Sequence, residues 1–106
     1  MADSSEPTSR TLSFLLGRLY VEMRVHRALE KSGPSVVTLL ERHARNDWGD
    51  VTLELRERNR RAVLHGFQIR SYYRLADGTV IVIRTDASRA ETHCDIEDDD
   101  MEGLLL

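Results

Sequence analysis

At Gly66 the hydrophobic pattern of this chain changes period. Before it, apolar residues recur three and four apart; after it they nearly alternate, and the alternating part is folded back on itself at Ala76-Asp77-Gly78. Asp-Gly between two apolar runs is a strong hairpin signal, because the tight turn needs backbone angles that these two residues tolerate. The chain must therefore place helices first and antiparallel strands second. Phe67 to Leu75 and Thr79 to Thr85 are the two expected strands, and Val80-Ile81-Val82-Ile83, apolar on both faces, predicts a central position for the second. Ala90 to Ile96 supplies a third after a turn near Asp86-Ala87-Ser88. The expected fold is α+β, with two to three N-terminal helices packed on a small antiparallel sheet of about three strands.

Ahead of Gly66 the first apolar stripe is Leu12, Leu15, Leu16, Leu19 and Met23, continued by Val25, Ala28 and Leu29 toward Lys31. One helix is the first expectation. The alternative is a strand at Leu16 to Val21 followed by a helix at Glu22 to Lys31, because Leu-Tyr-Val favours extended backbone and Gly17 weakens a helix interior. Ser32-Gly33-Pro34 stops either. Ser35 then offers an N-cap to a short helix with apolar positions Val36, Val37, Leu39 and Leu40, and Thr52 can cap a third helix through about Leu64. That helix is expected to bury Leu55, Ala62 and Val63, with Leu53 a further candidate, and to show Glu54, Arg56, Glu57, Arg58, Arg60 and Arg61 to solvent. The turn between the second and third helices holds the only tryptophan, in Asp47-Trp48-Gly49-Asp50. A structural role is expected for these four, with the indole between the two helices and Asp47 or Asp50 capping the third.

The 106 residues fit one domain with one modest core. Residues 1–10 are expected to be a disordered leader, 11–96 the single globular domain and 97–106 an acidic tail. The formal net charge of -3 is unevenly spread: six acids lie between Asp95 and Glu102, and without them 12 acids face 15 basic residues. All the basic residues but Lys31 are arginines, from genomic bias or a use for planar contacts with carboxylate or phosphate. A lone cysteine, Cys94, and the lack of a basic start joined to a long apolar run fit a cytoplasmic protein. No apolar stretch approaches the roughly 20 residues that cross a bilayer, so no membrane is expected.

The scattered His26, His43, His65, His93 and Cys94 match no zinc spacing, so no metal is expected, and no phosphate loop or nucleophile elbow is present, so no cofactor is expected either. The sequence leans away from an enzyme without deciding the point. The hairpin is more suggestive. Gln68, Arg70, Tyr72 and Arg74 share one strand face, with Arg84 and Arg89 expected nearby, a set able to grip phosphates and stack bases or simply to meet solvent. Phe67 to Ile96 faintly resembles the sheet of barnase-type ribonucleases, which implies a catalytic set of Arg70, Arg84, Arg89, Glu91 and His93. The acidic run Asp95 to Glu102 reads first as a solubilising tail; the alternatives are that Asp98-Asp99-Asp100 mimics phosphates, docks on a basic partner or folds back on the arginines of the third helix, with Leu104 to Leu106 completing a docking peptide.

Over residues 15 to 93 the chain resembles the small, largely uncharacterised "plasmid-related" proteins of bacterial plasmids and integrative elements. The residues that carry the likeness are Leu16-Gly17-Arg18-Leu19, Leu40 to Asp50 with its Asp-Trp-Gly-Asp turn, Asn59, Ala62, Ile69 to Tyr73, Gly78 and Ile83 to Arg89. It departs from that family at Val21 to Arg24, where a Thr-Pro-Gly helix start is replaced, and from Asp95 to Leu106, where a Leu-Leu-Pro segment is replaced. The resemblance implies an accessory role on a mobile element and no established catalytic residue. The leading expectation is a non-enzymatic protein-interaction module, of anti-CRISPR or anti-restriction type, binding a protein partner through Arg70, Tyr72, Arg74, Arg84 and Asp98 to Asp100. The alternative is a barnase-like ribonuclease or toxin acting on RNA through the arginine-rich sheet. Nucleic-acid binding without cleavage is a third reading.

Overall fold

The computed structural model describes residues 12–97; the expected leader and the tail residues Asp98, Asp99 and Asp100 lie outside the described residues. In chain order the elements are β1 (Arg18–Val21), α1 (Met23–Ser32), α2 (Val36–Ala44), α3 (Leu53–His65), β2 (Ile69–Arg74), β3 (Val80–Thr85) and β4 (Glu91–Glu97). The fold is α+β. The sheet order is β1-β4-β3-β2, with β3 antiparallel to both neighbours and β1 parallel to β4. The expected hairpin, its central strand and the third strand are all present.

The single helix expected from Leu12 to Lys31 is replaced by its alternative, a strand and then a helix. Gly17 sits at φ +69, and a Cβ there would overlap the main chain of Arg89 and Ala90. This close approach lays β1 on β4, where Arg18 N–H donates to the Ala90 carbonyl at 2.9 Å and Glu22 N–H to the Cys94 carbonyl at 3.0 Å. Leucines spaced three and four apart serve a turn, a strand and a helix equally well. The distant partner strand decides between them, and it adds a parallel fourth strand to the antiparallel three.

Strand alternation sorts the side chains. On the face toward α1 and α2 stand Leu19 and Val21, Thr92 and Cys94, Ile81, Ile83 and Thr85, and Ile69, Ser71 and Tyr73, as the pairing register requires. Val25, Leu29, Leu39 and Leu40 close this half of the core over Tyr73, Ile81, Ile83 and Cys94. Burial pushes the Cys94 thiol up to about 12, so it packs as a small hydrophobe. A second cluster joins Trp48, Val51, Leu55 and Ala62 to Tyr72, Val80 and Val82. The indole thus packs with α3 and the sheet rather than between two helices. Neither Asp47 nor Asp50 caps α3: Thr52 does, its Oγ1 accepting from Leu55 N–H at 3.1 Å. Leu53, expected as a core candidate, is exposed, and Asn59 is buried in the stripe instead.

Asn59 is buried because it acts as a short strand. Its Nδ2 donates to the Arg70 carbonyl at 2.7 Å, and its Oδ1 accepts from Arg70 N–H at 3.2 Å, so one amide satisfies both outward groups of that residue. Two residues on, Tyr72 N–H donates to the Trp48 carbonyl at 3.1 Å and Asp50 N–H to the Tyr72 carbonyl at 2.8 Å. Arg74 N–H is taken by Asp50 Oδ2 at 2.9 Å. The outer edge of β2 is thereby sealed along its length, which blocks pairing with another chain. Asn59→Ala should lower stability by about 2 kcal/mol, since it strands two buried main-chain groups; urea unfolding followed by far-UV circular dichroism measures it.

Candidate functional site

The opposite sheet face carries the polar side chains. From the open edge inward it displays Arg18 and Tyr20 on β1, Glu91, His93, Asp95 and Glu97 on β4, Arg84 beside Val80 and Val82 on β3, and Arg70, Tyr72 and Arg74 on β2. Tyr20 stacks on His93, with ring centroids 4.8 Å apart and planes 15° off parallel. His93 Nε2 lies 3.1 Å from Glu91 Oε1. Arg84, opposite His93 in the register, donates to Asp95 at 2.5 Å, and Arg70 Nε donates to Gln68 Oε1 at 3.0 Å. A cleft of about 380 Å³ runs between Arg70, Arg84, Asp95 and Glu97 over Tyr72 and Val82.

Four of the five residues of the ribonuclease-like set, Arg70, Arg84, Glu91 and His93, therefore meet on one face. Arg89 is placed elsewhere. At φ +65 its backbone turns the side chain toward the end of α3, where the guanidinium donates to the carbonyls of Phe67, Asp86 and Ala62 at 2.7, 2.9 and 3.0 Å and lies over the Phe14 ring. A cation on the last carbonyls of a helix also complements its dipole. Arg89→Ala should cost about 2 kcal/mol by releasing these acceptors, readable as a lower midpoint in thermal melting. Among the binding residues expected from the sequence, Tyr72 is buried beneath the cleft and cannot offer its ring to a ligand, while Arg74 is exposed at the end of β2. Tyr20 was not in the expected set. Its signal was the extended Leu-Tyr-Val alternative for residues 16–21, in which Tyr20 alternates against Leu19 and Val21.

The Asp47-Trp48-Gly49-Asp50 turn is held at Asp47 by Arg42 and Tyr73. Arg42 binds the Asp47 carboxylate through Nε at 2.7 Å and Nη2 at 3.1 Å, and its guanidinium lies 4.6 Å from the Tyr73 ring centroid. The hydrogen bonds from Arg42 hold the Asp47 carboxyl below its usual value. Tyr73 Oη donates to the Asp47 carbonyl at 2.6 Å, and burial pushes its phenol well above the ordinary range. These groups fix the turn, and Asp50, exposed beside them, spends one carboxylate oxygen on the Arg74 N–H.

A second polar constellation lies inside the core. His43 Nδ1 is 2.5 Å from Ser71 Oγ, and Nε2 is 2.9 Å from Thr85 Oγ1. Thr85 Oγ1 is 2.7 Å from Thr92 Oγ1, which donates to the Leu16 carbonyl at 2.7 Å. The carbonyl can only accept, so the protons are ordered along the whole chain. Thr92 gives its proton to Leu16, Thr85 gives its own to Thr92, and Thr85 must accept from a protonated Nε2, leaving Nδ1 to accept from Ser71. Burial, with the Arg89 charge nearby, pushes the imidazole down to about 3, so His43 is neutral. Every member is enclosed, which makes this a brace of the fold and not a site for substrate.

No protein-family model, curated protein or solved structure matches the chain. Among the described residues, no helix is long and apolar enough to cross a membrane.

Proposed function

We propose that this chain is a non-enzymatic protein-interaction module that docks its partner on the outer sheet face around Tyr20, His93, Arg84 and Arg70. The observation that carries this reading is that the central ionisable groups of the face are paired with one another, His93 with Glu91 and Arg84 with Asp95. Catalysis by general acid and base needs a proton acceptor and a donor set apart on either side of a reacting atom. Groups already bonded to each other suit recognition, where a partner exchanges one half-exposed ion pair for another. In the setting that the likeness to plasmid-related proteins implies, the partner is a subunit of a bacterial defence complex of CRISPR or restriction type. The test is affinity capture from a bacterial lysate with the wild type and with Tyr20→Ala plus Arg84→Ala. A defence-complex subunit held by the first and lost by the second supports the proposal; equal capture by both, or none by either, removes it.

The ribonuclease reading stands second, on the convergence of Arg70, Arg84, Glu91 and His93. Its prediction is cleavage of single-stranded RNA that vanishes in both Glu91→Gln and His93→Gln. Intact RNA after prolonged incubation with wild-type protein excludes it.

A further inference from the structure

The two edges of the sheet are treated differently, and the difference points to an interface. The β2 edge is sealed by Asn59, Trp48 and Asp50. Among the described residues the β1 edge has no neighbour. In a parallel pair, alternate residues turn both main-chain groups to the neighbour; Arg18 and Glu22 donate to β4, so Leu19 and Val21 turn their N–H and carbonyl groups outward. Beside this edge lies an apolar groove of about 410 Å³ lined by Leu12, Leu16, Leu19, Val37 and Leu40, with Leu12 and Leu19 each 46% and Val37 58% exposed.

We infer that a second copy of this chain docks here, β1 against β1 in antiparallel sense about a two-fold axis at Tyr20. The occupant follows from register and charge. Joining the two sheets with their faces matched requires residues of the same face to stand opposite one another, which leaves few registers. Setting Leu19 opposite Val21 of the second copy, and Val21 opposite its Leu19, uses every outward group of both strands in four main-chain hydrogen bonds. Shifting by two residues in one direction opposes Leu19 to Leu19 and runs Val21 against Gly17, whose φ of +69 is not extended. Shifting in the other direction opposes Leu19 to Met23, inside α1. The favoured register also sets Arg18 opposite Glu22 of the second copy, twice by symmetry, where it would join the carboxylate that Arg24 of that copy already holds at 3.1 Å, and sets Tyr20 against Tyr20 in a close, non-hydrogen-bonded pair. The strand is self-complementary in hydrogen bonding and in charge. Docking also covers the leucines of both grooves and joins the two outer faces into one surface, without depending on what that surface binds.

Sedimentation velocity of the full chain over a concentration series tests this, with circular dichroism to verify folding. The wild type is expected to pass from one chain to two as concentration rises. Leu19→Pro removes an outward N–H while sparing the bonds to β4, and should weaken association by roughly tenfold or more. Arg18→Glu and Glu22→Arg should each weaken self-association, and mixing the two should restore a dimer made of one of each, because both cross-strand pairs are then opposite in charge. This mixing result cannot come from misfolding. A wild type that stays monomeric throughout, a dimer indifferent to Leu19→Pro, or single variants that fail to pair on mixing overturns the inference.

Discussion

Gly49→Val is expected to leave little or no folded protein at ambient temperature. Gly49 has φ +82, a region where a β-branched residue is strained. A Cβ at this position would also overlap the Tyr72 carbonyl oxygen and crowd the Tyr73 ring. Relief requires the Trp48 to Asp50 segment to leave the edge of β2. That movement gives up the two main-chain bonds to Tyr72, the Asp50 bond to Arg74 N–H, the Tyr73 bond to the Asp47 carbonyl and the burial of Trp48. Together these amount to about 5 kcal/mol or more, comparable to the whole stability of many small domains. Two further variants calibrate the effect. Gly66→Ala shares the positive φ, at +77, but its Cβ meets nothing within 4 Å, so it should cost only about 1 kcal/mol. Trp48→Ala keeps the backbone and loses the indole, at about 3 kcal/mol. Thermal melts of the three should rank Gly49→Val well below Trp48→Ala and Trp48→Ala below Gly66→Ala; a melt of Gly49→Val close to that of Gly66→Ala would show that the turn is not held against β2.

The same residues show which parts of the fold were legible in the sequence. The hairpin and the two helix starts were, because an Asp-Gly turn and the Ser35 and Thr52 caps act within a few residues of themselves. β1 was not, since its leucine spacing fits a helix and its strand character is conferred by β4, reached through pairs such as Thr92 to the Leu16 carbonyl, 76 residues apart. Asn59 entered only through the family resemblance, and His43 only as one of several scattered histidines. Only the edge of β2 gives the first its partner, and only the facing hydroxyls of Ser71, Thr85 and Thr92 give the second its own. Arg89 was expected beside the arginines of the strand face, but a left-handed backbone angle turns it to the carbonyls of Ala62 at the end of α3, of Phe67 and of Asp86. The outer face was half legible: alternation placed Arg70 and Arg74 on one side of β2, but the pairs that define its chemistry, Arg84 with Asp95 and Tyr20 with His93, exist only once three strands are in register.

Acid should destabilise the protein over a window that starts well above the carboxylate range, and His43 is the reason. In the unfolded chain its imidazole titrates at the ordinary 6.5; in the folded protein burial holds it down to about 3. Between these values the unfolded state binds a proton that the folded state refuses. The stability contribution is therefore complete above about pH 6.5 and is lost as pH falls toward 3, at a rate of about 1.4 kcal/mol per pH unit and a total on the order of 5 kcal/mol. What opposes protonation is burial of the charge, with the Arg89 guanidinium nearby; a protonated Nδ1 would also force the Ser71 hydroxyl to reverse and accept. Asp47, held below its usual 3.8 mainly by the hydrogen bonds from Arg42, adds its own loss only at lower pH. The measurement is urea unfolding at intervals from pH 7 to pH 4 for the wild type and His43→Gln, whose amide can accept from Ser71 and donate to Thr85 without titrating. All other groups are common to the two proteins, so their difference isolates the imidazole. The wild type should be the more stable at pH 7 and should lose that advantage steadily toward pH 4; parallel curves would mean that the imidazole takes up its proton in the folded core as readily as in the unfolded chain, against the burial that isolates it.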